Sequence, residues 1–134
     1  PHILESNELT RTFDEFARVL KSGSPLIIQI LNYRKTLKDK ERIVSIRKKH
    51  QKEFIRFYDF LEPGLRFNLL EIDHSQNPPK HNLNSVLLHP YTLEEIEPVL
   101  QKTGFRTENI AGNMQFDAFN PESSANLVGT FIKK

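Results

Sequence analysis

The sequence predicts an α/β chain built on one buried strand and carrying an antiparallel β insertion. Three observations lead there. Leu9, Phe13, Phe16, Ala17 and Leu20 recur at helical spacing. Leu26-Ile27-Ile28-Gln29-Ile30-Leu31 is a nearly continuous apolar run, the kind buried on both faces of a parallel sheet. Glu53–Phe60 and Leu65–Ile72 have strand composition and flank Glu62-Pro63-Gly64, which suits the type II turn of a hairpin.

Each element follows in order. Asn7 is placed to cap the first helix and Gly23 to stop it, after which Pro25 opens the apolar strand. A basic segment leads to the hairpin. Asp73–Asn84, with Pro78-Pro79, reads as a loop, and Ser85–His89 as a short strand. Thr92-Leu93-Glu94-Glu95 is a capping box, in which the Thr hydroxyl serves the Glu95 amide and the Glu95 carboxylate reaches back. Leu93, Ile96, Val99 and Leu100 then mark an amphipathic helix ending at Gly104, with Pro98 expected to kink it. Phe105–Ala111 and Asn126–Ile132 are two further strands, separated by a loop containing Asn120-Pro121-Glu122-Ser123-Ser124.

The chain has 134 residues, enough for one domain or part of one. Its apolar runs are a handful of residues long, too short for a membrane span. There is no cysteine, which excludes disulfides, thiolate metal sites and a cysteine nucleophile and fits a cytoplasmic address. The first residues lack the basic and apolar regions of a signal peptide. The chain begins Pro1-His2-Ile3-Leu4 without an initiator and its one methionine is Met114, as expected for a piece of a longer protein.

The 19 basic and 17 acidic residues are unevenly placed. Arg34–Lys52 holds nine of the basic residues and two acidic ones, leaving the remainder net acidic. Such a segment can bind phosphates, but no aromatic residues interleave with its lysines to form a stacking platform. A solvated lid or linker is the expected role, and nucleic acid is not an expected partner.

Motifs for catalysis are scarce. The five glycines form no phosphate or dinucleotide loop, and there is no Gly-x-Ser-x-Gly elbow. The five histidines never fall at i, i+4 spacing; Asp73-His74 with His81 comes nearest to a metal cluster, and a polar loop explains it, so no metal is expected. Glu94 and Glu95 are accounted for by helix capping. The residues alone leave two non-enzymatic alternatives open: a non-catalytic α+β ligand-binding module, and a basic nucleic-acid-binding domain.

The order of elements resembles something more specific. Phe13-Asp14-Glu15-Phe16-Ala17-Arg18-Val19-Leu20-Lys21-Ser22-Gly23, Ile28-Gln29-Ile30-Leu31-Asn32-Tyr33-Arg34, and Tyr91-Thr92-Leu93-Glu94-Glu95-Ile96 with Lys102-Thr103-Gly104-Phe105 lie in the order and spacing of the C-terminal half of a class I S-adenosylmethionine-dependent methyltransferase. Pro1-His2-Ile3 is similar to that family's segment after its fourth strand. The closest group is the glycine/sarcosine N-methyltransferase-like small-molecule enzymes, and the resemblance spans nearly the whole chain. It implies the C-terminal part of a Rossmann-like seven-strand sheet whose last strand is antiparallel, with residues 34–90 as the basic segment and substrate-side insertion. It also implies S-adenosylmethionine as cofactor, held mainly by a Gly-rich loop and an acid upstream of Pro1.

By the same resemblance His2 matches a histidine near the cofactor, and Asn32 and Tyr33 line the pocket of a small-molecule methyl acceptor. The strand's carboxyl end is also where open α/β sheets place ligands. Leu31 stands where glycine-methylating members carry a carboxylate-clamping arginine, so glycine is not the expected acceptor; Arg34 offers a cation from a shifted position. Asn32→Ala and Tyr33→Phe are expected to cost activity with little loss of stability. Tyr58 and Phe60 are expected to pack the insertion hairpin. The sulfonium is already activated, so no acid–base triad is required. The piece alone is expected to be inactive and to self-associate through the exposed edge of the Leu26–Leu31 strand.

Overall fold

The computed structural model describes residues 3–134. They form two compact units, one of Ile3–Lys38 with Pro90–Lys134 and one of Asp39–His89.

In the first unit, helix α1 (Ser6–Val19) leads to strand β1 (Pro25–Leu31) and helix α2 (Tyr33–Asp39), then helix α3 (Leu93–Lys102) and strands β6 (Phe105–Ala111) and β7 (Asn126–Lys133). The three strands run β1-β7-β6, with the last strand antiparallel to both neighbours. The apolar stripes of the two helices meet the sheet as their periodicity predicts. Leu9, Phe13, Tyr91, Ile96, Leu100, Phe105 and Phe131 form the buried core, with Leu26, Ile28 and Ile30 packed against it.

The helix ends show how local chemistry selects boundaries. Glu5, not Asn7, occupies the N-cap of α1, and Asn7 lies inside the helix. At the other end Lys133 Nζ donates to the carbonyls of Ala17 and Leu20, placing a cation on the negative end of the helix dipole. Gly23 then takes φ +82°, a left-handed conformation that glycine adopts without strain. The capping box of α3 forms, with Thr92 N–H donating to Glu95 Oε2 at 2.9 Å, and the helix continues through Pro98 to Lys102.

Strand β1 half-buries Leu26, Ile28 and Ile30 while Ile27 and Leu31 stay exposed, and its outer edge has no strand partner among the described residues, the exposed edge expected of the piece alone. Gln29 is the visible trace of this alternation, on the exposed side with Ile27 and Leu31.

The second unit is a four-stranded antiparallel sheet in the order β2-β3-β4-β5: Ile43–Lys49, Lys52–Phe60, Leu65–Asp73 and Lys80–Leu88. The central pair is the expected hairpin, and in its turn Leu61 N–H donates to Gly64 O at 3.1 Å. Tyr58 is buried, with its ring centroid 6.2 Å from that of Phe60 and 5.8 Å from that of Phe67. Both outer strands exceed expectation. The basic segment contributes α2 and β2 rather than an unstructured lid, and β5 begins at Lys80, inside the span that reads as loop. Lys and Asn on these strands mask the strand signal, since edge strands tolerate charge where central ones do not.

Candidate functional site

The end of β1 passes directly into α2 through Asn32, which is 3% exposed. Its backbone oxygen accepts from Thr36 N–H at 3.1 Å and Thr36 Oγ1 at 3.2 Å, starting the helix. Its side-chain amide turns the other way. Nδ2 donates to the carbonyls of Pro121 and Ser124, both at 2.8 Å, and the backbone N–H donates to Ala125 O at 3.1 Å. Asn32 therefore binds the strand end to the loop that precedes β7.

That loop is ordered by its own polar residues. Asn113 Oδ1 accepts from the N–H groups of Gln115 and Asp117, Asn120 Oδ1 from Glu122 N–H, and Ser124 Oγ from Asn120 N–H. Gly112 permits the close return of the chain, because a Cβ there would lie 2.6 Å from Ser124 Oγ. The result is a fixed row of carbonyls aimed at Asn32.

A small cleft lies over this junction, lined by Leu31, Asn32, Tyr33 and Arg34 on one side and by Tyr91, Glu94, Phe119 and Pro121 among the others. Tyr33, Tyr91 and Leu127 are buried in its walls. Burial is the main reason the Tyr91 hydroxyl sits above its ordinary pKa of 10.0, with the Glu95 and Glu8 carboxylates adding to it. The free volume is about 10 Å³, room for a single water.

Four charges frame the rim. Arg34 Nε pairs with Glu122 Oε1 at 3.2 Å and its Nη1 with Glu94 Oε1 at 3.4 Å, while Lys38 also pairs with Glu122. Arg34 thus ties the start of α3 to the loop before β7. Lys38 chiefly, then Arg34, holds the Glu122 carboxyl below its usual 4.5. The Glu94 carboxyl is lowered by its own backbone N–H, then the Thr92 hydroxyl, then Arg34.

Folded-state values below the unfolded ones mean that this cluster's stabilisation is complete above about pH 4.5 and is lost as pH falls through the lowered values. Thermal melts of Glu122→Gln should therefore show a shallower acid-side loss than the parent chain. The difference should be small and shrink in high salt, because the groups are exposed. An unchanged acid slope would disprove the linkage.

The structure brings Asn32, Tyr33 and Arg34 to one cleft; His2 lies outside the described residues. Sequence reasoning gave no site role to Phe119 and Tyr91, which line the cleft, or to Glu122 and Lys38, which pair at its rim. Glu94 was legible only as a capping residue. Part of the basic segment pairs with acids brought to it in folding: Arg42 with Asp59 at 2.7 Å, Lys48 with Glu53 at 3.8 Å and Lys52 with Glu71 at 2.5 Å, besides the rim pairs. Asp73 accepts from Ser75, and among the described residues no group of three His, Cys, Asp or Glu is placed to hold a metal. No helix among them is long and apolar enough to cross a membrane.

No family model matches the sequence, and no curated protein matches it significantly. Solved structures do. A S-adenosylmethionine-dependent methyltransferase from Clostridium acetobutylicum superposes with TM-score 0.80 at 14% identity, over 98% of this chain and 53% of that one. The CcbJ methyltransferase from Streptomyces caelestis gives 0.78 at 12% identity, over 99% of this chain and 56% of that one. An amino-pentose methyltransferase from Micromonospora echinaspora, solved with S-adenosylmethionine bound, gives 0.61 at 10% identity, over 96% of this chain and 52% of that one. The chain has the mixed α/β fold of part of these methyltransferases and spans about half their length. With room for one water, this cleft as it stands encloses neither S-adenosylmethionine nor a methyl acceptor, so it is one wall of a site rather than a closed pocket.

Proposed function

We propose that this chain is the C-terminal portion of a S-adenosylmethionine-dependent methyltransferase of the glycine/sarcosine N-methyltransferase-like small-molecule group. The observation that carries this is the β1-β7-β6 sheet, whose reversed last strand and capped helix superpose with methyltransferases over almost the entire chain. In this reading the three strands complete a seven-strand sheet, the Asp39–His89 unit is the substrate-side insertion, and the cofactor is bound mainly by an upstream half, with His2 as the one cofactor-binding residue of this chain. The protein is cytoplasmic, and the transfer activity belongs to the longer chain.

Asn32, Tyr33 and Arg34 form the acceptor side. Asn32 positions the wall through the two carbonyls it holds, Tyr33 lines the cleft, and Arg34 fixes the rim. Leu31 supplies no charge, and Arg34 is already paired with two carboxylates. A small amino-acid carboxylate therefore lacks a dedicated partner, an interaction of about 1.5–3 kcal/mol. The acceptor is a small molecule other than glycine or sarcosine.

Labelled methyl transfer by the natural longer protein, across a panel of small acceptors, tests this. Turnover of glycine should be poor. On the best acceptor, Tyr33→Phe should lower kcat/KM about 10-fold, the value of one hydrogen bond of about 1.4 kcal/mol, with little change in Tm. Efficient glycine methylation, or an unaffected Tyr33→Phe variant, would remove the acceptor assignment.

A further inference from the structure

One end of the second unit's sheet gathers cations that its acids do not match. Strand pairing sets Lys49, Lys52, Asp73 and Lys80 in the last row of one face, and Arg47, Phe54, Glu71 and Asn82 in the row behind it. Both acids are engaged. Glu71 Oε1 accepts from Lys52 Nζ at 2.5 Å, and Asp73 Oδ1 accepts from Ser75 N–H at 2.9 Å and from the Ser75 hydroxyl at 2.5 Å. Arg47, Lys49 and Lys80 are exposed and form no ion pair among the described residues. The turn between β2 and β3 also works against its own stability. Lys49 and Lys52 close the ladder as a direct pair, and like charges directly opposite destabilise a hairpin. His50, between them, takes φ +55°, a left-handed conformation uncommon for a residue with a side chain. Where residues break local preferences with no gain in packing, function is the usual reason.

A pocket opens beside this turn, lined by Lys49, His50, Lys52, Phe54 and Asp73 among others, with a free volume of about 400 Å³. That lies within the range of small-ligand sites, about 300–1,000 Å³. Phe54 is half-buried and gives the pocket an apolar wall. The aromatic neighbour that the basic segment lacks along the sequence is thus brought to it by strand pairing, opposite Arg47. We propose that this pocket binds a small, multiply charged phosphate anion, with Lys49 and Lys52 as its principal donors, Arg47 and Lys80 at its flanks and Phe54 as its apolar wall. Each ammonium offers three donors and no acceptor, so the cluster calls for an acceptor-only partner. Directly paired lysines arise from backbones about 5 Å apart. One carboxylate satisfies one of them, whereas a phosphate chain reaches both. Such an anion offsets the repulsion between Lys49 and Lys52, so the ligand stabilises the folded turn that binds it. The phosphate chain is either free or carried by a nucleotide whose base meets Phe54, and the choice of probe separates these sources. The site uses none of the acceptor-side residues and stands apart from the methyl-transfer reading.

Calorimetric titration of tripolyphosphate into the full chain at low salt should give a dissociation constant below about 1 mM, weakening steeply as salt is added. Lys49→Gln should raise that constant about 10-fold or more. Its melting temperature should stay level or rise, because a like-charge pair is removed; a merely structural lysine would show the opposite. Lys21→Gln, in the first unit, should leave the affinity unchanged. ATP binding more tightly than tripolyphosphate, with the advantage lost in Phe54→Leu, assigns the phosphates to a nucleotide. ATP binding no more tightly assigns them to a free oligophosphate. Absence of tripolyphosphate binding at low salt overturns the proposal. So does an affinity that survives Lys49→Gln, or a loss shared equally by Lys21→Gln. Binding of a short single-stranded RNA without binding of tripolyphosphate overturns it too, in favour of an extended polyanion.

Discussion

Phe131→Ala is expected to lower the free energy of unfolding by about 3–5 kcal/mol, the range for emptying a buried aromatic site. Phe131 is 1% exposed and belongs to the core formed by α1, α3 and the β1-β7-β6 sheet. Its ring lies over Gly129, two residues earlier on the same strand, where a Cβ would meet ring carbons at 2.4 and 2.6 Å. Gly129→Ala alone should therefore overpack the site at a cost of about 1–3 kcal/mol. In the Phe131→Ala background the same alanine should be nearly neutral. Urea unfolding of both single variants and the double variant measures this coupling. Simple additivity would show that the ring does not occupy the space above Gly129.

The second large effect falls on Asn32. From sequence alone, replacing it is expected to spare stability; its placement reverses that. Asn32→Leu leaves the Pro121 and Ser124 carbonyls without their 2.8 Å donor, at about 1–3 kcal/mol for each acceptor that stays buried. The total should be about 2–4 kcal/mol after partial access of water to the loop. Asn32→Asp is nearly isosteric but sets a carboxylate oxygen against those two carbonyls. It should be more damaging than leucine near neutral pH and recover part of the loss in acid, where the protonated carboxyl donates again. Thermal melts against pH distinguish these outcomes. A leucine variant as stable as the parent would show that Asn32 does not hold the loop.

The same residue illustrates how much was legible in advance. The order of helix, strand, hairpin, capped helix and final strand pair could be read because each rests on a local signal: the Leu9–Leu20 stripe, the Leu26–Leu31 run, and Thr92 with Glu95. The outer strands β2 and β5 could not. They form local hairpins with β3 and β4, starting at Lys49 with Lys52 and at Asp73 with Lys80, but their lysines and asparagines carry little strand preference of their own. The Leu26–Leu31 run marked β1 as a strand, but an apolar run shows only that side chains can be buried, not which neighbour covers each face. The Asn32-Tyr33-Arg34 tip could be placed at a strand end, where such sheets hold ligands. The work of Asn32 could not be seen, because its partners lie some ninety residues on, and neither could Glu122, which meets Arg34 and Lys38 only after folding.

The proposed division of labour between this chain and an upstream half is tested through the cofactor itself. Calorimetric titration of S-adenosylmethionine into the 134-residue chain and into the natural longer protein compares the two directly. The longer protein should bind, and the isolated chain should bind more weakly than about 1 mM, less than about 4 kcal/mol of affinity. Micromolar binding by the isolated chain, or none by the longer protein, would contradict the assignment of this chain as the acceptor-side portion of a methyltransferase.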